Sequence, residues 1–160
     1  HRLAVRSKDG TAQVFDLASG RRVFTAVHAS NAVCCTALDP GGRQLVTGGG
    51  GAVRVWDVEH KECLRRWEVG PGSFERFELN EPGTQLVAKQ GRRTTVWDLG
   101  SGVELDRRET PVKPGAMVSF EGAKGNLVTY DADNRAWLWH TNGSRTDLRP
   151  FGRLPPLDER

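Results

Sequence analysis

The side chains best suited to chemistry are few: four histidines (His1, His28, His60, His140) and three cysteines (Cys34, Cys35, Cys63), among 20 acidic and 23 basic residues. Hydrolytic or metal-assisted catalysis needs His, Asp and Glu to converge, or Cys and His at ligand spacing. The four histidines fall to a structural position (His28), a strand-joining turn (His60) and the end of a repeat (His140) besides His1, and no cysteine has ligand spacing with a nearby His pair. There is no Gly-Lys-Ser or Gly-Lys-Thr phosphate loop and no Gly-x-Ser-x-Gly elbow. We therefore assign no catalytic, cofactor-binding or metal-binding residue and expect no cofactor and no enzymatic activity. Cys34 and Cys35 are adjacent on an expected strand, which points them to opposite faces, and all three cysteines read as reduced thiols.

What the chain does contain is a beat. Val14-Phe15-Asp16, Val55-Trp56-Asp57, Val96-Trp97-Asp98 and Leu138-Trp139-His140 place their aromatics 41, 41 and 42 residues apart. Leu3-Ala4-Val5, Leu45-Val46-Thr47, Leu86-Val87-Ala88 and Leu127-Val128-Thr129 follow the same rhythm, 42, 41 and 41 apart. Self-similarity at such a period signals an array of one supersecondary unit. Turn clusters at Asp39-Pro40-Gly41-Gly42, Asn80-Glu81-Pro82-Gly83, Gly100-Ser101-Gly102 and Thr141-Asn142-Gly143 bound short segments with period-two alternation. In the second unit these read as strands ending near Leu38 and running over 43–47, 52–58 and 62–69. Connections this short make neighbouring strands antiparallel. The fold class is thus all-β, with units at 1–28, 29–70, 71–111 and 112–151 and a tail at 152–160. Each unit is a four-stranded antiparallel sheet, the first lacking its opening strand, and sheets of this kind bury both faces by stacking around an axis as β-propeller blades.

On these residues the chain resembles the WD-repeat family, whose dipeptide stands at Trp56-Asp57 and Trp97-Asp98 and, altered, at Phe15-Asp16 and Trp139-His140. The resemblance implies a buried hydrogen-bond relay of histidine, hydroxyl, tryptophan and turn aspartate. The second unit offers His28, Thr47 and Trp56, with Gly48 to Gly51 in place of the aspartate; the fourth offers Thr129, Asp133 and Trp139 without a histidine. The first unit has Asp9 with Val5 and Phe15, and the third has Trp97 with Ala88 and Gly91, so the repeats are degenerate. The resemblance also implies a rim of loops carrying Lys8, Asn31, Phe74, Lys89, Arg92, Arg93, Lys113, Tyr130 and Arg135. A basic rim of this kind suits a protein or peptide partner, acidic or phosphorylated, met by a non-catalytic scaffold. About four blades reads as part of a longer propeller, completed by further blades of the same chain or by a second copy, with a self-closed four-bladed ring as the alternative.

Two other readings compete with the scaffold. A quinoprotein-like, ligand-binding or enzymatic propeller shares the aspartate–turn–Gly–aromatic order at Asp16 to Phe24 and Asp57 to Trp67, but not the tryptophan directly before aspartate. Nucleic-acid association would use Arg21-Arg22, Arg65-Arg66 and Arg107-Arg108, which fall at or within last strands. These pairs are not interleaved with aromatics as single-strand binders require, and edge protection accounts for them. The formal net charge is only +3. No apolar run is long enough for a membrane span, and His1 to Gly10 has no signal-peptide core, as expected of a cytoplasmic domain.

Overall fold

The computed structural model describes residues 1–7, 9–28, 33–109, 117–121, 125–130 and 135–148. Its first sheet joins β1 (Arg2–Arg6), β2 (Thr11–Asp16) and β3 (Arg22–Val27), in that order. The second joins β4 (Cys35–Leu38), β5 (Gln44–Gly49), β6 (Ala52–Asp57) and β7 (Glu62–Glu68). The third is β8 (Arg76–Leu79), β9 (Gln85–Gln90), β10 (Arg93–Asp98) and β11 (Glu104–Glu109). The fourth is β12 (Met117–Glu121), β13 (Asn126–Tyr130), β14 (Ala136–Trp139) and β15 (Arg145–Leu148). Every pairing is antiparallel between consecutive strands, the arrangement of β-propeller blades. No helix among the described residues is long and apolar enough to cross a membrane.

Stacking of successive sheets makes the core. Ala12, Val14, Phe24 and Ala26 of the first sheet pack on Leu45 and Val58 of the second, with Val33 between. Cys35, Val46, Val53 and Val55 of the second pack on Phe77, Leu86, Ala88 and Trp97 of the third, with Phe74 and Leu99 flanking. A smaller cluster, Val87 and Val96 with Val118 and Leu127, joins the third to the fourth. Each fully buried Val or Leu contributes roughly 1.5–3 kcal/mol, so the two larger interfaces dominate. The inner strands β1, β4 and β8 approach one another in turn, and β12 approaches β8.

The aspartate of the repeated dipeptide has a local task. Asp16 and Asp98 each accept from the backbone N–H and hydroxyl of the serine three residues on (2.8 and 2.7 Å), while Asp57 accepts from the N–H groups of Glu59 and His60. Each carboxylate thereby ties down the turn into its outer strand. A register shift falls beside the same aromatic in three sheets, at Val14/Phe15, Val55/Trp56 and Val96/Trp97, a bulge that re-aims the chain there.

One local expectation changes. Gly48 to Gly51 reads as a turn, yet β5 continues through Gly48 and Gly49, which pair with Val53 and Ala52. Only Gly50 and Gly51 turn, both at positive φ (59° and 78°), as a two-residue hairpin requires. Gly48 is in the strand because the next sheet leaves no room: a Cβ there would lie 2.3 Å from Phe77 Cζ.

Candidate functional site

At the second sheet, strand pairing brings three polar side chains together inside the stack. Trp56 Nε1–H donates to Thr47 Oγ1 at 2.8 Å, and Thr47 Oγ1 lies 2.7 Å from His28 Nε2. His28 Nδ1 lies 3.2 Å from the Gly49 carbonyl oxygen. A carbonyl can only accept, so Nδ1 carries the proton and Nε2 accepts from the Thr47 hydroxyl. His28 is 1% exposed, and burial, aided by the Arg54 charge, pushes its pKa below the usual imidazole value, so it is held neutral. At the fourth sheet Trp139 Nε1–H donates to Thr129 Oγ1 at 2.9 Å. Trp97 is buried against Trp67, ring centroids 6.4 Å apart, with Ala88 where the other two sheets have threonine. Asp133 lies outside the described residues.

The expected rim residues divide. Lys8, Asn31 and Lys113 lie outside the described residues. Arg92 and Arg93 are exposed at the turn from β9 to β10, and Tyr130 and Arg135 are exposed where β13 ends and β14 begins. Lys89 and Phe74 differ from expectation. The Lys89 side chain is 3% exposed, and its ammonium pairs with the Glu75 carboxylate, whose other oxygen accepts from Gly91 N–H at 3.0 Å. β9 is covered on both faces, which buries Lys89, and Glu75, just before β8, meets it there. Phe74 is 3% exposed because it packs edge-on to Phe77 inside the second interface, centroids 4.8 Å apart.

Glu75, Ser73 and Gln90 complete this corner and were not legible as site residues. The signal for Glu75 was available in the tight turn at Asn80 to Gly83, which sets Arg76 opposite Lys89 and so brings Glu75 alongside. Together Pro71, Gly72, Ser73, Gln90, Arg92 and Arg93 line an open cleft of about 410 Å³, with Glu109 at its border. Gln90 Nε2 is buried there without a hydrogen-bond partner in the protein.

Several arginines of the outer strands are engaged locally. Arg66 pairs with Glu68 and Arg107 with Glu104, each at 2.5 Å. Arg108 pairs with Asp106, donates to the His140 carbonyl oxygen at 3.1 Å and lies 5.4 Å from the Trp139 ring, whose other cationic neighbour is Arg145 at 5.3 Å. The Arg108 contacts to the His140 carbonyl and the Trp139 ring join the third sheet to the fourth.

No protein-family model matches the chain. It is 27% identical over 158 residues to mouse transducin-like enhancer protein 2, covering 82% of this chain and 20% of that protein. It is 25% identical to protein groucho of Drosophila melanogaster, covering 82% and 21%. Over 88 residues it is 33% identical to eukaryotic translation initiation factor 3 subunit I of Aspergillus terreus, covering 54% and 26%. The chain thus spans about a fifth to a quarter of the length of these relatives. With a repeat of about 41 residues, sheets that stack in chain order and these likenesses, the chain is similar to WD-repeat β-propeller proteins.

Proposed function

We propose that this segment is a non-catalytic interaction platform that presents the cleft between the 71–73 connector and the β9–β10 turn to an acidic or phosphorylated segment of a protein partner. The observation that carries this reading is the cleft's chemistry: two guanidinium groups, Arg92 and Arg93, face one carboxylate, Glu109. Beside them stands the buried amide of Gln90 with a donor to spare. Arginine forks take carboxylates and phosphates with two parallel bonds, and an amide donor supplies a third point of orientation. Tyr130 and Arg135 extend the basic, aromatic character along the chain's rim positions, with Lys8, Asn31 and Lys113 as further candidates. Lys89 and Phe74 serve the platform from within, holding Glu75 and the sheet interface.

Because the cleft is built from turns anchored on paired strands, little ordering entropy is lost on binding. The partner's identity, and activity of a larger protein that includes this segment, follow from whatever segment fits this chemistry. A peptide array of acidic, phosphorylated and neutral sequences tests the reading. The chain retains acidic and phosphorylated peptides over neutral ones, and the Arg92→Glu, Arg93→Glu double variant loses that retention with an unchanged melting temperature. Equal retention of neutral peptides, or full retention by the variant, refutes it.

A further inference from the structure

Beside the rim cleft the chain has seated a carboxylate of its own. Glu75, half-exposed just before β8, pairs through one oxygen with the Lys89 ammonium and through the other accepts from the Gly91 N–H at 3.0 Å. Its backbone N–H donates to the Lys89 carbonyl oxygen at 2.8 Å, so both ends of the residue are fastened to β9 and its turn. An ammonium and a turn N–H that meet the two oxygens of one carboxylate make a seat for a monoanion. Glu75 fills that seat, and the Lys89 charge, nearly closed off from solvent, is spent on it.

What the cleft offers a ligand is a different set of donors. Arg92 stands in the turn and Arg93 opens β10, while the exposed Ser73 hydroxyl and the Gln90 amide line the rest. Glu109, opposite Arg93 in the β10–β11 register, is the acid of the lining. It weakens the field for every anion alike, because the energy of an ion in a fixed field scales with its charge. A phosphorylated side chain carries about −1.5 to −2 and three strong acceptor oxygens, against one charge and two oxygens for a carboxylate. Two guanidinium forks and a hydroxyl present more donors than a carboxylate can use.

We propose that the cleft is a phosphate-selective site and that Glu75 sets the selectivity by filling the seat that a carboxylate side chain would otherwise take. This rests on the reading of the cleft as the docking place of an acidic or phosphorylated segment and chooses within it. The ligand is a phosphorylated side chain of the protein partner, held by Arg92, Arg93 and Ser73. Glutamate or aspartate in its place reaches neither Lys89 nor the Gly91 N–H and binds more weakly.

The test uses three peptides of one glycine-rich sequence that differ at a single central position: serine, glutamate or phosphoserine. Each is titrated into the nitrogen-15-labelled chain and followed at the backbone N–H signals of residues 90–93. The phosphoserine peptide binds about tenfold more tightly than the glutamate peptide, the worth of one further charge-assisted hydrogen bond. In Glu75→Gln the seat opens, the glutamate peptide gains affinity and shifts the Gly91 signal, and the ratio narrows toward one. If that variant melts early because Lys89 is left without its carboxylate, the wild-type ratio still decides. Equal affinity for the two anionic peptides in the wild type, or an unchanged ratio in folded Glu75→Gln, overturns the selectivity and leaves the acidic docking place standing. Binding of neither anionic peptide overturns both.

Discussion

Replacing Thr47 with valine removes one oxygen and keeps the shape of the side chain, so its effect reports the relay alone. The hydroxyl serves two partners: it donates to His28 Nε2 and accepts from Trp56 Nε1–H. His28 is buried without access to water, so its Nε2 bears the full penalty of a lost partner, about 1–3 kcal/mol. Trp56 is partly exposed, and its N–H recovers some hydration, which adds about 0.5–1 kcal/mol. The sum is about 1.5–4 kcal/mol. Thr129→Val in the fourth sheet loses a single bond, to a partly exposed Trp139, and costs about 1 kcal/mol. Urea unfolding followed by far-ultraviolet circular dichroism measures both. With a slope of about 2 kcal/mol per molar, in the middle of the range for small proteins, Thr47→Val moves the midpoint down by about 0.8–2 M at constant slope. A Thr47→Val midpoint within experimental error of the parent, or a larger shift for Thr129→Val, refutes the claim that this hydroxyl satisfies the buried imidazole.

Gly48→Ala places a methyl carbon 2.3 Å from Phe77 Cζ and 2.8 Å from Phe74 Cδ2, an overpacking worth up to about 3 kcal/mol. The melting temperature then falls by roughly 6–12 °C, and an unchanged melt means that the two rings move aside freely. Stability also depends on pH through His28, whose pKa is depressed in the folded state by burial and by Arg54. Between that depressed value and the unfolded value of 6.5 the unfolded chain binds the extra proton. The contribution is therefore complete above about pH 6.5 and is lost as the pH falls toward the folded value. Urea midpoints of the parent and His28→Gln, compared at pH 7.5 and 5.5, show a smaller acid loss in the variant; parallel losses refute the assignment.

The strand order was legible because the signals for it are local. Period-two alternation, a turn cluster and an aromatic at one beat depend only on residues close in the chain, and the resulting strands meet in sequence order. The relay members Thr47 and Trp56 were legible for the same reason, since pairing of β5 with β6 sets Leu45 opposite Trp56 and leaves Thr47 two residues along. What stayed hidden depends on the neighbouring sheet. Nothing in Gly48 announces Phe77, and Phe74 reads as a rim aromatic until its ring packs against Phe77 inside the interface with the second sheet. Cys34 shows the limit of alternation itself, because one residue of irregular backbone before β4 was enough to bring both sulfurs to one interface.

The degeneracy of the repeats bears on where binding belongs. Hydroxyl, imidazole and indole come together only at the second sheet among the described residues, and the third replaces the hydroxyl with Ala88. Yet the interface between those two sheets carries the largest buried cluster, and Trp97 gains from Trp67 and Ala88 the packing that a polar chain would otherwise have provided. The fourth sheet has a smaller buried cluster and leans on Arg108 and Arg145 against Trp139. A rim cleft holds its shape only as firmly as the strands beneath its turns. The connector at 71–73 and the turn at 90–93 both rise from the junction of the second and third sheets, where burial is deepest. Stacking thus supplies at this junction the rigidity that a complete set of relays would have distributed around all the blades, and the cleft lies where a preorganised surface is least costly to maintain.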